Sequence, residues 1–499
     1  MSSSAENVNE SKSGRSGIVT SLFAPVDAAS VAVFRMTFGA ILVWEVYRYF
    51  AKGWIDRYWV EPVMTLHYYG LDWIGPLPRA GMHFVFGLLG ISAALVAAGL
   101  AYRIAAALFC LLFAYVFFLD QSRYLNHFYL VFLLSMMMVF IPAHREWAID
   151  ARLQMRTRSR SVPGWCLWLL RFQIGVVYIF GGIQKFNGDW FRGEPMRMWL
   201  ARKTDWFLVG PLFDDERTVA LFTFGGIAFD LLVVPGLLWR RTRPFAFAAA
   251  LAFHLFNSQF FKIGIFPWLM IAATTLFFAP DWPRRFATRL TRRPVSRVAL
   301  PPPGPLRLDD LDVKRQIALW LLSAYAVFQL LFPLRAFLYP GNHLWTEEGM
   351  WFSWNMMLSE KQSSLVFTVV DPQTNQRVDV YPEMYVKELQ YIVGTRCADS
   401  VVQIAHHIAQ RAHESGSKDA KVYVRWYMSM NGREPQLYVD PNVDFAAIPR
   451  GLGPKRWILP LEKQLMSPAD RASAIRTRTK TDTVASESEY VPEKEFGEE

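Results

Sequence analysis

Cysteine is scarce in this chain, with three in 499 residues. Cys110 and Cys166 fall in apolar runs and Cys397 in a polar segment. No disulfide framework, CxxC pair or Cys/His zinc spacing can be built from them. No His, Asp or Glu spacing forms a ligand set either, so no metal is expected. Charged residues are few, at 19% against 53% hydrophobic and 15% aromatic. That balance excludes an ordinary soluble enzyme and describes a polytopic membrane protein with a soluble part. The net charge of +10 does not make a nucleic-acid surface. The arginines gather in loops between apolar runs, and no aromatic-interleaved basic groove occurs, so no nucleic acid is expected as a partner. Residues 1–17 have no apolar h-region and read as a polar tail instead of a signal peptide. No internal repeat is found.

What is present is a series of apolar runs. A span needs about 20 mostly apolar residues. The runs are 28–50, 82–100, 104–119, 127–141, 165–182, 219–239, 244–260, 264–279 and 317–338. Arginine-rich loops follow the fourth, sixth and eighth, and include Arg145, Arg152, Arg156, Arg240, Arg241, Arg284 and Arg285. The positive-inside rule places these loops and the N-terminus in the cytoplasm. An odd number of spans then puts everything after residue 338 outside it. There, 365–370 and 377–381 flank a hairpin signal, 387–412 reads as a helix, and 421–430 and 436–440 flank Asn431-Gly432. The expected fold is an all-α polytopic membrane bundle of about nine transmembrane helices followed by a small extracytoplasmic α+β domain. Its boundaries are a tail at 1–22, a membrane domain at 23–338, the α+β domain at 339–466 and an acidic tail at 467–499. The Pro-rich stretch 291–305 reads as a cytoplasmic linker.

Ionisable residues inside spans default to functional hypotheses. Arg35 and Glu45 lie in the first run, Arg171 and Gln173 in the fifth, Asp230 in the sixth and His254 in the seventh. An Arg171–Asp230 pair that only ties helices together is an equally good reading. Three polar clusters reach the same leaflet boundary: Asn126-His127, Lys185 after the fifth run, and His254-Leu-Phe-Asn257-Ser-Gln259. His254, Asn257 and Ser258 share one helix face. Lys185 has two readings. It snorkels to the headgroups, or it lies under apolar residues without its proton and acts as a base toward a lipid-soluble acid. Asn, Gln and His nearby would then hydrogen-bond the developing oxyanion. The aromatics Phe180, Phe186, Trp190, Phe256, Phe260, Phe261 and Phe266 either exclude water from such a site or form an interfacial belt.

Several ordered stretches resemble the vitamin K-dependent gamma-carboxylase family, whose membrane region is also called the HTTM domain. They are 23–35, Tyr124-Leu-Asn-His-Phe-Tyr-Leu130, 171–190 with Gly181-Gly-Ile-Gln-Lys185, 253–266, Phe352-Ser-Trp-Asn-Met-Met357 and Asp440-Pro-Asn-Val-Asp444. The resemblance implies an enzyme that oxygenates a reduced naphthoquinone, vitamin K hydroquinone, with O2. The resulting alkoxide removes the γ-proton of a protein glutamate, and the carbanion takes up CO2. It places the base on Lys185 and support for carboxylation on His127. It implies a quinol- and substrate-binding set of Asn126, His254, Asn257, Gln259, Phe261, Trp354 and Met357. Arg35, Arg171 and Asp230 are expected as structural intramembrane polar residues. The implied partners are a Glu-containing protein or peptide, the lipid bilayer and a quinone reductase in the same membrane.

The sequence departs from the family at 345–351, where glutamate contacts are expected, and at Lys262, where a small residue is expected. No N-x-Ser/Thr sequon lies in the parts expected outside the cytoplasm, which favours a bacterial cytoplasmic membrane over the ER. Two other readings stand beside the carboxylase–epoxidase: a quinol epoxidase without glutamate carboxylation, and a non-enzymatic transporter or scaffold of the same fold.

Overall fold

The computed structural model describes residues 17–154, 158–261, 263–292 and 306–465. Residues 1–16 of the tail expected at 1–22, the tail expected at 467–499 together with Met466, linker residues 293–305, Arg156 and Lys262 lie outside the described residues, and 17–23 is helical where a tail was expected.

A helix forms at each of the nine apolar runs. They are α1 (Ala29–Ala51), α2 (Arg79–Ala98), α3 (Tyr102–Leu119), α4 (Asn126–Phe140), α5 (Gly164–Ile183), α6 (Glu216–Leu238), α7 (Arg243–Phe260), α8 (Phe266–Thr274) and α9 (Val313–Leu331). Among the described residues, six are long and apolar enough to cross a membrane: α1, α2, α3, α5, α6, and α9 with its extension to Leu338. The other three of the expected nine are shorter or more polar than this measure requires. α4 has 15 residues, and at 1.5 Å per residue such a helix is about 22 Å long, short of a hydrocarbon core of about 30 Å. α8 is shorter even with its extension, Thr275–Phe277. α7 carries His254, Asn257, Ser258 and Gln259 in its second half, which lowers its hydropathy.

One end of the bundle is held by buried arginines. Arg35 is fully buried. Its guanidinium donates to the carbonyls of Val96 (2.8 Å), Ala97 (2.7 Å) and Trp147 (2.7 Å). Two of these acceptors belong to the last turn of α2, where carbonyls have no partner within the helix. Gly99 follows in the left-handed region (φ 68°), and a Cβ there would meet Arg35 Nη1 at 2.4 Å. Arg284 bridges Asp27 (2.9 Å) and Glu146 (3.0 Å). It thereby ties the strand pair β1 (Pro25–Asp27) and β2 (Ser161–Pro163) to the bundle.

The C-terminal region is a four-stranded antiparallel sheet with helices on it. Strands β3 (Lys361–Val370), β4 (Arg377–Val380), β5 (Lys421–Met430) and β6 (Gln436–Leu437) lie in the order β4-β3-β5-β6. The register pairs Leu365 with Trp426 and Phe367 with Val424. These four apolar side chains are buried against Val401, Ile404 and Ile408. Both hairpin signals fold as hairpins, and Asn431 (φ 53°) and Gly432 (φ 74°) take the left-handed turn that an Asn-Gly pair favours.

The helix expected over 387–412 is two helices, α10 (Glu388–Gly394) and α11 (Ala398–Glu414). The break has a local cause. Gly394 ends the first helix where a Cβ would come 2.9 Å from Leu66 Cδ1. The Thr395 hydroxyl turns back to the Tyr391 carbonyl (2.7 Å). Leu66, from the loop before α2, completes the core of this domain. Gln390 bonds Asp120 (2.8 Å) and Gln121 bonds Ser400 (3.0 Å) across the same seam.

Arg35→Leu removes three charge-assisted bonds and leaves buried carbonyls unpaired. It is expected to destabilise the protein by about 3 kcal/mol, read as a lower thermal unfolding midpoint in detergent. An unchanged midpoint would remove Arg35 from this role.

Candidate active site

The chemistry-bearing residues meet where α5 ends. α5 crosses α6 through Gly181 and Gly182. A Cβ on Gly182 would lie 2.8 Å from Leu231 Cδ2 and 3.2 Å from Asp230 Cβ. Small residues let two membrane helices approach this closely. The approach brings Asp230 beside Lys185, just past the α5 C-terminus. Lys185 Nζ donates to Asp230 Oδ2, and the two form an ion pair with side chains 12% and 8% exposed. Lys185 also sits over the Trp190 ring, 5.4 Å from its centroid.

The pair opens on a cavity of about 300 Å³, at the small end of small-molecule sites. Aromatic and aliphatic side chains make most of its wall, among them Trp190, Trp199, Phe256, Phe261, Phe266 and Met357. The polar groups in the lining are Lys185, Asp230, Tyr178, His254 and Asn257. The Tyr178 hydroxyl is 2.6 Å from His254 Nε2. His254 is buried, and its Nδ1 has no hydrogen-bond partner among the described residues. A buried polar atom without a partner in an apolar cavity calls for a ligand atom that can bond it.

Several expected site residues are placed otherwise. Asp230 does not pair with Arg171. Arg171 donates instead to the carbonyls of Leu276 (2.8 Å) and Phe278 (3.0 Å) and stacks on Trp168. Its role is to hold the α8 terminus, while Asp230 belongs to the cavity. Asn126 does not line the cavity. Its side-chain nitrogen donates to the Asn355 carbonyl (2.8 Å) and its oxygen accepts from Tyr124 (3.1 Å). It therefore fixes loop 351–357. His127 is also outside the lining, packed against Phe128 and against Phe266, which itself lines the cavity. Trp354 is fully buried against Tyr129, behind the wall. Gln259 is exposed and bonds Ser258, whose hydroxyl turns to the Leu255 carbonyl. The helical period puts 254, 257 and 261 on the cavity face and turns 259 away.

Lining residues that the sequence analysis did not single out include Tyr178, Trp199 and Met356. Tyr178 was legible in principle, since it lies two helical turns before Lys185. Trp199 arrives from the short helix Met196–Ala201 and Met356 from a loop far along the chain, and no local period reports either.

The segment carrying Lys185 is clamped from the C-terminal domain. Asn187 caps the short helix Gly188–Phe191, its side chain accepting from the Trp190 N–H at 2.9 Å. Asp189, within that turn, takes a bidentate pair from Arg433 (2.6 and 2.7 Å) and a bond from Asn431 (2.8 Å). Loop 351–357 closes another side. Arg335 donates to Trp351 O and, at 3.1 Å, to Ser353 Oγ. Phe352, Trp354 and Met357 all have positive φ, conformations these bulky residues hold only under constraint.

The fold and the cavity describe a multi-pass helical membrane protein capped by an α+β domain. Residues 23–282 match the HTTM domain model. Residues 314–464 match the model described as vitamin K-dependent gamma-carboxylase, lumenal domain. The chain belongs to the vitamin K-dependent gamma-carboxylase family. No solved structure matches it. Among the described residues, no group of three or more His, Cys, Asp or Glu side chains comes together as a metal site.

Burial alone pushes the Asp189 carboxyl up, but the bonds from Arg433 and Asn431 outweigh it and hold it below its ordinary value. The clamp is therefore at full strength above the ordinary carboxylate pKa of about 4 and is lost as pH falls below that. Arg433→Ala leaves a buried carboxylate unpaired, and an expected cost of about 3–5 kcal/mol follows. Protease resistance of the C-terminal domain, followed from neutral pH downward, checks both. Equal resistance in variant and wild type would show that the clamp does not hold the domain.

Proposed function

We propose that this protein is a membrane enzyme that couples oxygenation of a reduced naphthoquinone to γ-carboxylation of glutamate in a protein or peptide. The observation that carries the reading is the Lys185–Asp230 pair in an apolar cavity at the end of the bundle, in a chain of this family. The bound quinol, with O2, supplies the strong base that removes the glutamate γ-proton, and CO2 is the second substrate. The residues of this chain fit such a ligand. The cavity admits an aromatic head group from the bilayer, its aromatic wall excludes water, and His254 Nδ1 offers the unmatched hydrogen bond. Deprotonation of the quinol hydroxyl rests on Lys185. Asn257 and the Tyr178–His254 pair orient the head group, and Phe261 and Met357 enclose it.

His127 serves the carboxylation half from behind Phe266, and Asn126 serves through loop 351–357. Gln259 and Trp354 act from outside the wall. The N-terminus lies in the cytoplasm and the C-terminal domain on the opposite side, because the arginine loops gather at the end of the bundle away from Lys185. A bacterial cytoplasmic membrane, with a quinone reductase renewing the quinol, is the setting we favour. One observation supports the half-reaction enzyme as a second reading: His127, the residue expected to support carboxylation, is outside the cavity lining.

The test uses purified protein with reduced vitamin K, O2, labelled bicarbonate and a Glu-containing peptide, following epoxide and fixed label together. Both products are expected, and both should vanish in Lys185→Ala. His127→Ala should reduce fixed label more than epoxide. Epoxide without label would favour the half-reaction enzyme. Wild-type epoxide formation in Lys185→Ala would end the assignment of Lys185.

A further inference from the structure

The membrane domain encloses a second, smaller cavity of about 40 Å³, between α1, α2, α3 and the start of α4. A single water needs about 10–15 Å³, so this space admits a molecule of about three heavy atoms. Most of its wall is apolar, with Leu89, Phe86, Phe113, Phe117 and Phe128 in it. Glu45, Tyr49, Trp59 and Arg123 bring polar atoms to the lining. The carboxylate is already matched, since Glu45 accepts from Arg48 at 2.7 Å. The donors are not. Arg123 Nε and Nη1 and Trp59 Nε1 are buried with no acceptor among the described residues. The Arg123 guanidinium lies over the Tyr58 ring instead, 3.8 Å from its centroid.

Buried donors without acceptors call for an occupant that accepts hydrogen bonds. An anion would face the Glu45 carboxylate, and an occupant rich in donors would find few acceptors in a wall of Phe and Leu. A small neutral molecule with acceptors only is what remains. CO2 answers that description, with two acceptor oxygens and no proton, whereas O2 accepts hydrogen bonds poorly. The position of the cavity agrees. Phe128 lines the smaller cavity and Phe266 the larger one, and the His127 ring packs on both, with centroids 4.7 and 6.0 Å away. His127 is thus the partition between the two.

We propose that the smaller cavity is a CO2-binding site that supplies the active-site cavity past His127, with the Arg123 and Trp59 N–H groups holding the CO2 oxygens. The inference rests on the reading of the protein as a carboxylase and names where the second substrate of that reaction is held. CO2 is bound there unreacted, and no bond forms or breaks. The site also gives His127 a reason to stand outside the larger lining, on the path between the two cavities.

The experiment uses the purified full chain in detergent, as wild type, Arg123→Met and Leu89→Phe. The first variant removes the donors at similar length, and the second fills the cavity. The thermal unfolding midpoint reports whether each one folds. Carbon-13-labelled CO2 is added, and the infrared antisymmetric stretch of CO2 is followed. Wild type should show a band narrower than that of dissolved CO2 and displaced from it, and both variants should lose it. With reduced vitamin K, O2 and a Glu-containing peptide, KM for CO2 should rise about 10-fold in each variant, the order set by one lost hydrogen bond from a charged donor. Fixed label should return at saturating CO2.

Three results overturn this inference alone: no displaced band in a wild type that fixes label, shifted bicarbonate bands in its place, or an unchanged KM for CO2 in both folded variants. A rise in KM for O2 instead of CO2 gives the cavity to O2 and overturns it as well. A wild type that fixes no label overturns the carboxylase reading, and the band then judges the cavity by itself. A band lost in Arg123→Met still upholds CO2 binding there, and no band overturns both.

Discussion

The structure turns on a buried pair of opposite charges at the end of a membrane bundle. Lys185 and Asp230 come from different helices, and neither is tolerable alone in an apolar cavity. Gly182 of α5 stands where Leu231 and Asp230 must pass, since a Cβ there would lie 2.8 and 3.2 Å from them. The aromatic wall follows from the same constraint, since water would screen the pair and offer competing protons. Much of the local architecture can be read as the surroundings needed to keep one ion pair dry and in position.

The C-terminal domain enters that arrangement through a second pair. Asp189 stands four residues after Lys185 and is held by Arg433 and Asn431. The Asn-Gly turn of the β5–β6 hairpin thus has two uses. Its backbone closes the hairpin, and the Asn431 side chain reaches the segment carrying the lysine. Loop 351–357 adds a third tie, between Arg335, Asn126 and the residues that bring Met356 and Met357 to the cavity. A substrate on the C-terminal domain and a ligand in the membrane cavity would therefore share one mechanical frame.

The bundle's other end is organised by different means. Arg35 and Arg171 reach backbone carbonyls, and Arg284 reaches two carboxylates. These arginines satisfy helix ends that lipid could not. Two of them, Arg35 and Arg171, were expected as structural residues. The third expected member, Asp230, lies at the opposite end and lines the cavity beside Lys185. A carboxylate and a guanidinium in adjacent runs invite pairing on paper, but depth along the helix decides it. Arg171 lies at the end of α5 away from Lys185, and Asp230 lies level with Lys185.

The sequence by itself determined the helix positions, both hairpins, the membrane character and the choice of Lys185 as the candidate centre of the site. All of these are carried by local signals: apolar runs, turn residues and an ordered set of motifs. It also placed His254, Asn257, Phe261 and Met357 near the lysine, and each lines the cavity. Tertiary structure alone decided which charges pair, which of two adjacent polar residues faces inward, and how loops distant in sequence complete a wall. Gln259 and Trp354 carry the right chemistry in the right motif, yet one faces out and the other lies behind the lining. The reason is geometric: a motif reports residue types along a line, while a site depends on rotation about each helix and on contacts closed across hundreds of residues.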